Sequence, residues 1–140
     1  MASIKGLGGA FMESNDAKKL AEWYETALGI KMMPENSESG GYHVFHTIDA
    51  ETGDARENPV FAINQSKETL PASNRGFMFN FRVDDLDEFL EELESQGIKQ
   101  EREKIKWKRG KHAWVKDIDG NMIELYEELF PEEIDIDEEE

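Results

Sequence analysis

The sequence predicts an α+β fold made of two copies of one module, strand–helix–strand–strand–strand. Three observations carry that expectation. Two amphipathic stretches each run thirteen residues from an Asp to a Gly, Asp16 to Gly29 and Asp84 to Gly97, and each Gly is followed by Ile-Lys. One strand candidate precedes each stretch and three follow it. Near the end of the chain, Asp119-Gly120 separates two strand-like runs and reads as a tight turn, because Gly accepts positive φ and Asp can hydrogen-bond its own backbone.

Taken in order, residues 4–13 form the first strand candidate. The first helix starts near Ser14, Asn15 and Asp16, all good N-caps, and places Leu20, Trp23, Ala27 and Leu28 at the spacing of one buried face. Gly29 stops it. Strand candidates follow at 30–33, 42–48 and 59–63. Residues 66–75 are polar, include Pro71, Ser73 and Asn74, and read as a linker. In the second module the run from Phe77 to Val83 alternates. Phe77, Phe79, Phe81 and Val83 fall on one face, and Met78, Asn80 and Arg82 on the other. The second helix starts at Asp84, uses Leu86, Phe89, Leu90 and Leu93 as its apolar stripe, and ends at Gly97. Strand candidates at 98–107, 111–116 and 122–126 complete the module. One domain is expected over 1–127, with modules at 3–65 and 76–127, followed by an acidic tail at 128–140. A sheet with one helix layer leaves its other face uncovered, so the two modules should cover each other or a second chain.

Composition narrows the function classes. Eight Phe and three Trp in 140 residues are enough for a real core. No apolar run approaches the roughly 18 residues of a membrane span, and the N-terminus is too weakly apolar for a signal peptide. With no Cys, thiolate metal sites, Cys nucleophiles and disulfides are excluded, and a cytoplasmic setting is the simplest expectation. A net charge of −16 argues against nucleic acid, which needs clustered Lys and Arg. Residues 127–140 hold nine acids and no base, a self-repelling, solubilising terminus. An acidic field also favours cationic small ligands over anionic ones.

Three pieces then occur in order: Asp16 with Trp23-Tyr24 and Leu28-Gly29; Val83-Asp84-Asp85-Leu86; and Asp117-x-Asp119-Gly120-Asn121-x-Ile123-Glu124-Leu125. With the doubled module, this chain resembles the glyoxalase / bleomycin-resistance / extradiol-dioxygenase superfamily, also called vicinal oxygen chelate proteins, from Ile4 to Tyr126. The resemblance implies two βαβββ modules forming a curved, half-open mixed-sheet barrel, usually within a homodimer. It also implies, for metal-dependent members, a divalent ion held by His and Glu from the sheet strands. Here the usual His positions are Gly9 and Met78, and only the final-strand Glu is matched, by Glu124. One carboxylate falls short of the three protein ligands such catalysis needs. No cofactor is therefore expected.

A carboxylate in mid-strand between apolar neighbours is costly unless solvated, paired or bound to a cation. Glu124 is thus a general-base candidate, a ligand anchor or a structural partner of Arg82. By strand parity Met78, Asn80, Arg82, Glu124 and Tyr126 line one concavity, and His46 and Trp107 are added as ligand-binding candidates, the indole for stacking. His112 is placed at a hairpin rim beside the Arg109-Gly110 turn, and Trp114 in the core. The expectation is a metal-free protein that binds a small, cationic or aromatic molecule. The alternative is a lyase, isomerase or dioxygenase-type enzyme using Glu124 as base or within a non-standard divalent site.

Overall fold

A computed structural model describes residues 4–36, 39–71, 77–107 and 110–130. The chain forms two compact units, Met1–Leu70 and Pro71–Glu140. Residues 72–75 of the expected linker, Arg109 of the expected turn and 131–140 of the expected tail lie outside the described residues. The architecture is α+β, with one helix and open, mixed sheets in each unit.

The first unit contains β1 (Gly9–Ser14), α1 (Ala17–Leu28), β2 (Gly41–Val44), β3 (Thr47–Ile48), β4 (Ala55–Arg56) and β5 (Val60–Gln65). Its main sheet has the order β1-β5-β2, with β1 and β5 parallel and β2 and β5 antiparallel. Asp16 caps α1 by accepting from the Lys19 N–H at 3.2 Å, while Ser14 Oγ accepts from the Asp16 N–H at 3.1 Å. Gly29 ends the helix at φ 76°, a left-handed conformation that costs Gly little. The buried stripe is Ala17, Leu20, Ala21, Tyr24 and Ala27. Trp23 and Leu28, expected on that stripe, are only half-buried, because Tyr24 takes the central position against Phe61 with ring centroids 5.2 Å apart. Met12, Phe61 and Ile63 complete this core.

Two expected strands of this unit are much reduced. Residues 30–33 contribute a single bridge, Met33 with Tyr42. The run 42–48 divides after Val44, and its end pairs with β4 as a separate hairpin that alternation did not reveal. Gly41 makes the crossing beside Met33 possible. It sits at φ 107°, and a Cβ there would lie 2.4 Å from the Met33 carbonyl oxygen.

The second unit contains β6 (Phe79–Arg82), α2 (Leu86–Ser95), β7 (Ile105–Lys106), β8 (Gly110–Lys116) and β9 (Met122–Glu128) in the sheet order β6-β9-β8-β7. The cap of α2 is Asp85, one residue after the expected Asp84, accepting from the Glu88 N–H at 3.1 Å. Leu86, Leu90 and Leu93 are buried, as are Ala113, Val115, Ile123 and Leu125 on the facing sheet. Of the expected strand 98–107 only two residues are extended pairs. The segment 99–104, Lys-Gln-Glu-Arg-Glu-Lys, has no apolar face to bury, and a backbone bond to β8 runs from the Glu101 N–H to the Trp114 carbonyl at 2.7 Å.

The turn between β8 and β9 is organised by Asp117 rather than by Asp119. The Asp117 carboxylate is buried, and its Oδ1 accepts from the Asp119 and Asn121 N–H groups at 2.9 Å each. Its Oδ2 accepts from the Asn121 side chain at 2.8 Å, and Gly120 turns at φ 87°. A second device is shared by both units. Gln65, at the end of β5, accepts from the Ala17 N–H at 2.9 Å, and Glu127, on β9, accepts from the Leu86 N–H at 2.9 Å. In each case a side chain of the last strand satisfies the first helical N–H, which has no intrahelical acceptor.

Asp87 ties α2 to the far edge of this sheet, hydrogen-bonding Lys104 and, at 3.2 Å, Lys111. The Lys104 bond and then the Lys111 bond hold the Asp87 carboxyl below its usual range. Burial alone would lower Lys111, but the Asp87 hydrogen bond and charge outweigh it and raise the ammonium.

Two predictions follow from this packing. Leu93→Ala should cost about 2–5 kcal/mol in urea unfolding, against about 1 kcal/mol for Asp16→Ala; the reverse order would mean that α2 is not docked as described. Asp87→Asn should cost no more than about 1 kcal/mol, since the pair is solvent-screened. A lowered folded pKa stabilises above the unfolded value of about 3.9 and is lost as pH falls through the folded value. The raised Lys111 stabilises below about 10.4 and is lost as pH rises through its folded value. The wild-type advantage should therefore fill the neutral range and vanish in strong acid, and an equal gap at all pH values would contradict the assignment.

Candidate functional site

On the sheet face turned away from α2, pairing sets the side chains in rows. One row is Asn80, Glu124 and Trp114; the next is Arg82, Tyr126, His112 and Ile105; Met122 and Lys116 form a third. Four of the sequence candidates, Asn80, Arg82, Glu124 and Tyr126, therefore share one face. Met78 lies just before β6 and is half exposed, and Trp107 follows β7 with 54% of its surface exposed. His46 is exposed, between β2 and β3 of the first unit.

The centre of this face is a pair the sequence reading did not assemble. His112 Nδ1 lies 2.6 Å from Glu124 Oε2, with side chains 20% and 16% exposed. His112 sits diagonally from Glu124 across the β8–β9 ladder, within reach of such side chains. The partner of Glu124 is thus His112, where the sequence offered Arg82, and His112 stands in the sheet rather than at a rim. An ionised carboxylate only accepts, so Nδ1 carries the hydrogen and a neutral ring keeps its lone pair on Nε2. Among the described residues Nε2 has no hydrogen-bond partner, and the His112 side chain keeps 20% of its surface exposed.

Aromatic rings surround the imidazole. Its centroid is 5.6 Å from Trp107, 5.2 Å from Tyr126 and 6.4 Å from Trp114, the last nearly parallel at 21°. The Arg102 guanidinium lies 4.6 Å from the Trp114 ring centroid. Trp114 is well buried, as expected for a core residue, but it is covered on the face opposite α2. Gly110 makes room for Tyr126, because a Cβ there would meet the Tyr126 ring at 2.7 Å. The missed residues carried a signal. Ala113 and Val115 alternate with His112, Trp114 and Lys116, and a turn pairing Lys116 with Met122 sets His112 beside Tyr126.

The metal positions suggested by the resemblance do not suit a three-ligand divalent site. Gly9 has no donor, and a Cβ there would lie 2.6 Å from the Val60 carbonyl oxygen. Met78 offers only a thioether, a soft and weak ligand. Among the described residues no group of three His, Asp or Glu side chains is placed to hold an ion. Elsewhere, a hollow of about 540 Å³ in the first unit is lined by Phe11, Tyr42, Ala62 and Asn64 among others. No helix among the described residues is long and apolar enough to cross a membrane.

Comparison with known proteins agrees with this architecture. YraH, an uncharacterized protein of Bacillus subtilis (strain 168), is 28% identical over 120 residues, covering 82% of this chain and 92% of that protein. An integron cassette protein from the mobile metagenome of V. cholerae has the same fold, with a TM-score of 0.65 at 17% identity, covering 91% of this chain and 98% of that one. TnmS3, an antibiotic binding protein from Streptomyces sp. CB03234, matches with a TM-score of 0.62 at 18% identity, covering 92% of this chain and all of that one, 100%. The sequence model of the Glyoxalase/Bleomycin resistance protein/Dioxygenase superfamily matches residues 10–125, so the chain belongs to that superfamily.

Proposed function

We propose that this protein binds a small, flat aromatic molecule on the second unit's sheet, against Trp107, Trp114 and Tyr126. The observation that carries the reading is the ring of aromatic side chains around the His112–Glu124 pair. Stacking supplies affinity, and a few placed polar groups fix orientation, which is the usual make-up of a small-molecule site. Asn80, Arg82 and Met78 are assigned to the border of the same ligand. That an antibiotic binding protein shares the fold is in keeping with this use. The reading includes a homodimer and a cytoplasmic setting.

A second reading, a lyase or isomerase, is favoured by one feature, the hydrogen bond that orients His112. In that case the base would be His112 and Glu124 would position it, since the Glu124 carboxylate is already engaged.

Screening flat aromatic compounds by tryptophan fluorescence should yield saturable quenching. Trp107→Ala should weaken the best binder by roughly 3- to 10-fold, the worth of one aromatic contact. If no compound in a chemically broad set quenches the emission or raises the melting temperature, the ligand reading falls. Calorimetric titration with nickel, zinc, manganese and iron(II) should show no stoichiometric binding that depends on Glu124. Tight binding lost in Glu124→Gln would instead restore a metal enzyme.

A further inference from the structure

We propose that His112 is the proton acceptor of this site and that its ligand carries a weakly acidic O–H on a flat ring, bound as the anion. The inference rests on the ligand reading above and specifies its chemistry. Glu124 occupies Nδ1, so the only vacant lone pair of a neutral His112 is on Nε2, which is without a partner among the described residues, on a side chain that is partly exposed. A ring stacked in the aromatic surround brings an attached hydroxyl within reach of that nitrogen. The O–H bond then breaks, its proton moves to Nε2, and its electron pair stays on the ligand oxygen. No redox partner is required.

Charge on this face fits the product of that transfer. The new imidazolium lies between the Glu124 carboxylate and the ligand anion, so each negative group has a positive neighbour. Arg82 stands in the same row as His112, and Arg102 lies over Trp114. Lys116 is on this face as well, and its ammonium is 3.8 Å from Glu101. The chain is strongly acidic overall, and Glu128 shares this face by alternation along β9, yet the two arginines stand here as well, Arg82 in the row of His112 and Arg102 over Trp114. A permanently cationic ligand would add to the positive charge that Arg82 and Arg102 bring to this face. Net charge alone pointed toward cations; the local arrangement points toward an ionisable hydroxyl.

The test uses para-nitrophenol, whose ionised form absorbs in the visible, buffered just below its own pKa. Para-nitroanisole, which has the same ring without the proton, is the control. Wild-type protein should quench with both compounds, bind the phenol about tenfold more tightly, as one charge-assisted hydrogen bond warrants, and raise the visible phenolate band saturably. His112→Asn should still quench with the phenol but produce no phenolate band. Glu124→Gln, which keeps the side-chain shape, should give a smaller band, and unchanged melting curves would show both variants folded. Equal binding of the two compounds with no phenolate band would overturn the proton transfer and leave the aromatic site standing. A band that persists in His112→Asn would assign the base elsewhere. Failure of both compounds to bind would remove this inference, while the ligand reading falls only if the broader set of flat aromatics fails as well.

Discussion

The turn at Asp117 is the constraint on which the second unit depends. A buried carboxylate that takes two backbone N–H groups and one side-chain amide holds β8 and β9 in a single register. Side chains alternate with period two, so a slip of one residue between the strands would turn one of them over, send either His112 or Glu124 under the helix and part the pair. An uncompensated carboxylate in that position would be costly. The turn is thus both the closing link of a hairpin and the part that selects which residues meet at the site.

The repeated module is more than a repeated pattern of strands. Gln65 and Glu127 occupy equivalent places, each on the last strand of its unit and each accepting from the first helical N–H. The parallel pairings of β1 with β5 and of β6 with β9 bring the last strand beside the chain that enters the helix. Helix and sheet are thereby fixed at the end nearest the entering chain, while the apolar stripes fix the rest. The two units differ in how they spend their remaining residues. The first adds a separate hairpin, and the second leaves its long strands to carry polar and aromatic groups.

Much of this was legible in the sequence, for identifiable reasons. Asp16 and Gly29 bound α1 because capping chemistry is local. Asn80 and Arg82 share one face of β6, and Glu124 and Tyr126 one face of β9, because strand alternation is also local. What the sequence did not convey depends on pairing or on packing volume. Tyr24 displaced Trp23 from the helix stripe because Phe61 meets it from another strand. The strand at 98–107 shrank because its charged residues had no apolar face to place. His112 went unseen as a partner of Glu124 because its residue type, next to a turn, suggested a rim. Only the ladder between β8 and β9 converts that spacing into a contact.

The far edge of the second sheet has a consequence of a different kind. An exposed strand edge is a template on which another chain can pair. Here that edge is β7, two residues long, with Lys104 and Lys111 drawn toward Asp87 on α2. A strand arriving from another molecule would find little backbone to pair with and would meet ammonium groups already fixed by the helix. The bonds that dock α2 to the sheet also guard this border against strand addition, so the protection of the edge is built partly from the helix packing.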